Sequence, residues 1–422
     1  MNQEAEKKGL EKTQKDIDFM LSCYQEMLQE IPEPEIVKFI TDPVQKELST
    51  HLPDVAEEKL IHALSIYFQL INLVEENAAT QFRRYLENQY GIDRIRGSWG
   101  ETFQLWKKQG LKEEDMLEIF PHLNIMPVLT AHPTEAKRVT VLEIHRELYL
   151  LLVKNENTSW SNSEKEAIRD QIKALLERWW YTGELYLEKP DLAAERDNVL
   201  YYFTQVFPRA LQQSDQRLKN SWKAMGFDPE KLSQPEQFPQ LNFGSWVGGD
   251  RDGHPFVRAE VTRETLLLHR QAAFSVLQSQ LVELAAKMTI SDNYIQVPEQ
   301  LRNAIQEKLA ALGEKGTRAQ ARNPRESFRQ YVNLLLVRLQ NTQEGLNDHP
   351  EKYYLSPQVL KEDLRVLRSA LLEIGAQSVA EDLLFTVERQ VQCFGFHLAK
   401  LDIRQNSAFY DKALYLAFYG KK

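Results

Sequence analysis

Residues 125–135 read Ile125-Met126-Pro127-Val128-Leu129-Thr130-Ala131-His132-Pro133-Thr134-Glu135. The apolar start is short and bounded by polar residues and prolines, so it reads as a buried strand ending in a loop. A histidine at a strand end occupies the position where α/β folds gather reacting groups, because the loops there face a shared cleft. The same residues also fit a satisfied histidine in an ordinary strand-to-helix turn. Two further strand-like runs favour the first reading. Phe243-Gly244-Ser245-Trp246-Val247-Gly248-Gly249-Asp250-Arg251-Asp252-Gly253-His254-Pro255 is one. His397-Leu398-Ala399-Lys400-Leu401-Asp402-Ile403-Arg404, inside the stretch 393–407, is the other.

Helical patterning fills the rest of the chain. Ile17, Met20, Leu21, Tyr24, Met27 and Leu28 form one amphipathic stripe, stopped by Pro32 and Pro34. Leu60 to Leu86 continues as a long helix, and a polar break at Asn155 to Asn162 precedes a capping box of Ser163 with Glu166. Further helices are expected at 194–220, 259–288, 297–312, 325–344, 357–374 and 378–394. Residues 313–325 read as a basic, flexible loop. Strands are expected only at 125–131, 242–247 and 397–404, each carrying one motif. Few strands, each followed by helix and tipped with chemistry-bearing residues, predict a mostly α protein built around a β/α (TIM-type) barrel with large helical insertions. The expected division is a helical region at 1–120 and the barrel portion at 121–422.

Composition excludes several classes. A net charge of −9 without a Lys/Arg-rich run disfavours nucleic-acid binding. An apolar share of 42% is ample for a packed core. Cys23 and Cys393 are the only cysteines and form no C-x-x-C, so a reducing cytoplasm fits better than a disulfide framework or a zinc ribbon. Residues Met1 to Lys8 show no leader-like apolar segment, and the apolar stretch Leu60 to Val74 is interrupted by His62, Ser65, Gln69 and Asn72. It falls short of the roughly 20 residues that a membrane span needs.

The motifs carry distinct chemistry. His132 can exchange a proton near neutrality, and Pro133 restricts the turn that aims it. Glu135 reads as a helix N-terminal charge or a partner that supports the site from behind, rather than a catalytic acid. Gly248, Gly249 and Gly253 permit backbone closed to other residues and set Asp250, Arg251 and Asp252 on a tight loop. Either an Asp–Arg–Asp network braces the strand ends, or Arg251 faces bound anions. Calcium is rejected, because Pro255 and Val261 stand where an EF-hand loop needs Gly and Glu. Arg404, an always-charged planar donor, suits a phosphate or carboxylate; the alternative is an ion pair with Asp402. No Walker A, H-E-x-x-H or G-x-S-x-G motif is present.

Together, the stretches 130–135, 243–255 and 393–407 resemble three signatures of the phosphoenolpyruvate carboxylase family, in that family's order and near its spacing. Leu73-Val74-Glu75-Glu76-Asn77 with Arg83-Arg84, Thr182-Gly183-Glu184-Leu185 and Val261-Thr262-Arg263-Glu264 add weaker matches. The resemblance runs from about residue 60 onward and covers the N-terminal half of a family member, so the chain is expected to be a fragment, inactive alone. It implies a lyase joining phosphoenolpyruvate and bicarbonate into oxaloacetate and phosphate, with Mg2+ or Mn2+ whose ligands lie outside this chain. It implies a cytoplasmic homo-oligomer, a tetramer in the family, and a barrel of which only the first strands are present. His132 would act on carboxyphosphate and Arg404 on the substrate's anionic groups, with Arg251 and Arg138 as further anion contacts. Arg138 matches the first of a family pair of arginines; Val139 replaces the second, and Tyr186, Leu187 and Lys189 stand where relatives carry basic residues. Activation by sugar phosphate is therefore not expected. Two other readings remain: a truncated, non-catalytic helical interaction or regulatory relative, and a barrel enzyme using His132 and Glu135 at a metal. The second has only two visible ligands, fewer than the three of a catalytic zinc site.

Overall fold

A computed structural model describes residues 3–31, 34–40, 55–130, 138–183, 191–252, 256–345 and 349–420. The fold is mostly helical, as expected. It divides into two compact units, Met1–Arg96 with His132–Pro190, and Gly97–Ala131 with Asp191–Lys422. Both units are discontinuous in sequence and cross the expected division at 120/121. Among the described residues, no helix is long and apolar enough to cross a membrane.

The first unit packs the helices Gln3–Glu30, Glu57–Tyr90, Val139–Asn155 and Asn162–Trp180. The stripe read from the sequence is its core: Met20, Tyr24 and Leu28 are buried in one cluster with Ile66, Leu70, Leu148, Leu176 and Trp179. Their three-to-four-residue spacing puts each set on one helix face. The Arg169 guanidinium clamps Glu26 and also donates to Ser22 Oγ at 2.9 Å. The capping box sits two residues earlier than expected. Ser161 Oγ accepts from the Glu164 N–H at 3.3 Å, and Glu164 Oε2 accepts from the Ser161 N–H at 2.8 Å. Both pairs satisfy the same S-x-x-E pattern, and the chain uses the upstream one.

The second unit holds the strands β1 (Asn124–Ile125), β2 (Val128–Leu129), β3 (Gln240–Leu241), β4 (Gly244–Ser245) and β5 (Lys400–Leu401). All pairings are parallel, β1 with β3, and β2–β4–β5 in that order. The first two pairings form one interrupted ladder. Gln240, Asn242 and Gly244 donate to the carbonyls of Leu123, Ile125 and Pro127 at 2.8, 3.0 and 2.9 Å. Pro127 has no N–H to return, which splits the strand and explains why the observed strands are shorter than the expected runs. The run 125–131 was expected to be buried. Instead Ile125, Met126 and Val128 are 45%, 42% and 38% exposed, because β1 and β2 are edge strands among the described residues.

Helices surround these strands. Ala259–Lys287, Glu299–Ala321, Ser327–Glu344 and Pro357–Glu373 share one core, with Leu281, Leu301, Leu335, Leu364 and Phe396 buried in it. The loop expected at 313–325 is found only at 322–325, and its first part, 313–321, is corrected to helix. The helix Glu299–Ala321 continues past a break at Gly313 (φ 56°, ψ −134°), burying Leu312, Gly316 and Ala319. A Cβ at Gly316 would stand 3.5 Å from Leu334, so the small residue lets two helices approach. Apolar spacing outweighs the charges and glycines that suggested a loop.

Candidate functional site: the parallel strand ends

Register decides the site. Val128 aligns with Gly244 and Gly244 with Lys400; Leu129 aligns with Ser245 and Ser245 with Leu401. The three strands therefore finish at one edge. Beyond β4 the chain turns sharply, with the Gly249 and Asp250 N–H groups both donating to the Trp246 carbonyl at 2.8 and 2.9 Å. Gly248 adopts φ +84°, and a Cβ there would lie 2.2 Å from Thr265 Oγ1. A Cβ at Gly249 would lie 2.3 Å from the Asp402 carbonyl oxygen. These two glycines are required by the close approach of the helix Ala259–Lys287 on one side and the end of β5 on the other.

That approach joins the two arginines. The Arg251 N–H donates to the Arg404 carbonyl at 2.9 Å, and the Arg404 N–H donates to the Gly249 carbonyl at 3.1 Å. Asp250 and Arg404 form an isolated parallel bridge. The second and third motifs, separated by some 150 positions in the chain, are thus one backbone unit.

The side chains have partners of their own. Asp250 Oδ1 accepts from the Asp252 N–H at 3.0 Å, and Arg251 Nη2 donates to Thr262 Oγ1 at 3.2 Å. No Asp–Arg–Asp side-chain network forms among the described residues; backbone bonds do the bracing. Arg251 Nε is buried with no hydrogen-bond partner among the described residues. Arg404 does pair with Asp402, at 3.3 Å, and its guanidinium lies 4.0 Å over the Trp246 ring. Both side chains of that pair are about two-fifths exposed, at 44% and 40%. Such a pair contributes little and yields readily to a stronger anion.

Arg196 escaped the sequence reading. It is 9% exposed and donates to Glu264 at 3.0 Å and to Thr265 Oγ1 at 3.5 Å, behind the Gly248 turn. The Arg196 hydrogen bond holds the Glu264 carboxyl below the usual carboxylate range. No local pattern marks Arg196, since its partners lie 68 and 69 positions away. Nearby His269 is buried, and desolvation pushes its pKa down despite a hydrogen bond with the Ala399 backbone.

His132, Glu135 and Gly253 lie outside the described residues. Arg138 belongs to the first unit. Its carbonyl accepts from the Val141 and Leu142 N–H groups at the start of the helix Val139–Asn155, and its guanidinium packs against Gly183. Among the described residues, no group of three or more His, Cys, Asp or Glu could hold a metal ion.

The chain matches the family described as "Phosphoenolpyruvate carboxylase" over residues 38–418. It is 33% identical over 373 residues to the phosphoenolpyruvate carboxylase of Methylorubrum extorquens strain AM1, covering 87% of this chain and 40% of that protein. The phosphoenolpyruvate carboxylase of Xanthomonas oryzae pv. oryzae is 30% identical over 362 residues, covering 85% of this chain and 38% of the relative. That of Rhodopseudomonas palustris strain BisA53 is 30% identical over 376 residues, with 87% and 38% covered. The chain spans about two-fifths of the length of these curated relatives.

Proposed function

Because this chain belongs to the phosphoenolpyruvate carboxylase family, we propose that its strand ends form the anion-holding part of a carboxylase site. The observation that carries the reading is the backbone pairing of Arg251 with Arg404 at the edge where three parallel strands finish. Two always-charged donors carried on paired backbones suit the phosphate and carboxylate of phosphoenolpyruvate. Parallel strands alternating with helices, and an exposed apolar edge at Ile125 and Val128, support the further proposal that these strands are the first staves of a β/α barrel.

In the proposed reaction, a bicarbonate oxygen attacks phosphorus and the bond from phosphorus to the enol oxygen breaks. Carboxyphosphate and the enolate of pyruvate result. His132, three residues beyond the end of β2, takes the carboxyl proton as the bridging bond breaks, releasing carbon dioxide and phosphate. The enolate carbon then attacks carbon dioxide to give oxaloacetate. Arg404 and Arg251 hold the anions in place, and Arg138 is a further proposed anion contact. The family's Mg2+ or Mn2+ would stabilise the enolate. The described residues do not supply its ligand set, and Arg251, Arg404 and His132 are assigned no contact with it. A cytoplasmic homotetramer is proposed for the full-length family architecture.

Phosphoenolpyruvate-dependent incorporation of labelled bicarbonate into oxaloacetate tests this division of the site. The 422-residue chain alone is expected to give none. Fused to the remaining part of the Methylorubrum extorquens relative, it is expected to give turnover that His132→Asn abolishes. Turnover by the chain alone would refute the division, and a folded, tetrameric but inactive fusion would refute the function.

A further inference from the structure

The second unit holds a cavity of about 540 Å³, none of whose lining residues belongs to the strand-end edge. Its size falls within the range typical of small-molecule sites, roughly 300–1,000 Å³. The helix Ala259–Lys287 forms one wall. The others are the segments Tyr202–Ala224 and Ala380–Phe394, and each begins with a π-helical turn, Tyr202–Val206 and Ala380–Leu384. Such turns account for well under 1% of residues and are frequent at functional sites. Both open onto this one cavity, through Thr204 and Gln205 on one side and Asp382 and Leu383 on the other.

The lining chemistry is neutral overall. Arg209 and Lys287 are balanced by Glu283 and Asp382, and Lys287 is already bound to Glu283 at 2.6 Å. Most of the remaining polar groups are primary amides and hydroxyls, each able to donate and accept. One is unsatisfied: Gln390 is 2% exposed, lines the cavity, and its Oε1 has no hydrogen-bond partner among the described residues. That oxygen is closed to solvent as it stands, and it gains a donor when the amide turns toward the cavity its residue lines. Leu284, Leu383 and Val387 supply apolar patches between the polar groups.

We propose that this cavity binds a neutral, hydroxyl-rich small molecule, a sugar or polyol. Its O–H groups donate to Gln390 Oε1 and exchange hydrogen bonds with Gln205, Gln212 and Thr386, while its C–H faces meet the apolar patches. A net-charged ligand finds no complementary excess of charge there, and a purely apolar one leaves the amides unpaired.

Calorimetric titration of the 422-residue chain with glucose and with sorbitol tests the proposal. Saturable binding of at least one is expected, with glucose alone marking a ring-shaped ligand and sorbitol alone an open-chain one. Gln390→Leu, which removes the buried acceptor, is expected to weaken binding at least about tenfold. Ser279→Trp, at an exposed lining position, is expected to fill the cavity and abolish binding while circular dichroism stays unchanged. Absence of saturable binding by both probes, or parent-like affinity in folded Ser279→Trp, would overturn it.

Discussion

Replacing Asp363 by alanine is expected to destabilise the second unit by about 3–5 kcal/mol, the cost of breaking a buried ion pair by removing one partner. Its carboxylate, 8% exposed, accepts from Lys308 Nζ at 2.6 Å, Arg338 Nη1 at 3.1 Å and the Tyr354 hydroxyl at 2.8 Å. The Tyr331 hydroxyl donates to its carbonyl at 3.2 Å. Two cations therefore share one anion in the core between the helices Glu299–Ala321, Ser327–Glu344 and Pro357–Glu373. Burial already pulls Lys308 below the usual ammonium range, with Asp363 acting against that shift. Without the carboxylate, Lys308 sheds its proton more easily, but Arg338 keeps its charge and is left without this partner. Asp363→Asn keeps an acceptor for Tyr354 and is expected to fall between the two. Urea titration followed by near-ultraviolet circular dichroism reads the loss directly, because both tyrosines are buried against this group. A midpoint shift below that of an exposed control such as Glu314→Ala would remove Asp363 from the set of core determinants.

Gly249→Ala is expected to separate the second motif from the third. The new methyl group would sit 2.3 Å from the Asp402 carbonyl oxygen and 3.1 Å from its carbon, both backbone atoms without rotamer freedom. Relief requires the end of β5 to move, which breaks the bonds holding Arg404 and Arg251 together. Overpacking of this kind costs about 1–3 kcal/mol, and the displaced arginines are expected to lose at least about tenfold in phosphoenolpyruvate affinity. Gly226→Ala is the matched control. A Cβ there meets nothing within 4 Å, leaving only the cost of φ +80°, about 1 kcal/mol. Equal effects of the two substitutions on affinity would show that the Gly249 contact does not position the arginines.

The helices were legible because periodicity is a local signal. Met20, Tyr24 and Leu28 mark a buried face before any partner is known. The strand-bearing motifs were located, but not their extent or exposure, because Pro127 interrupts the ladder and edge position depends on neighbours remote in sequence. Gly313 and Gly316 imitated a loop: Gly313 breaks the helix at φ +56°, whereas the small size of Gly316 serves a contact with Leu334 that the sequence does not mark. At the site, the glycine pair and both arginines could be read as residue types. Their union through the Arg251 and Arg404 backbones could not, nor could the support from Arg196 and Thr265. Ion pairs such as Arg389 with Asp215, 174 positions apart, leave no trace in local patterning. The two π-helical turns likewise follow from packing rather than composition.

The most direct test of the anion-holding edge is tryptophan emission during phosphoenolpyruvate titration of the 422-residue chain, because Arg404 lies 4.0 Å over the Trp246 ring. The account predicts a saturable change that Trp246→Phe removes, that Arg404→Gln weakens at least about tenfold, and that Arg365→Gln, a surface control paired with Glu236, leaves unaltered. No saturable change, or an Arg404→Gln variant that responds like the parent, would contradict it.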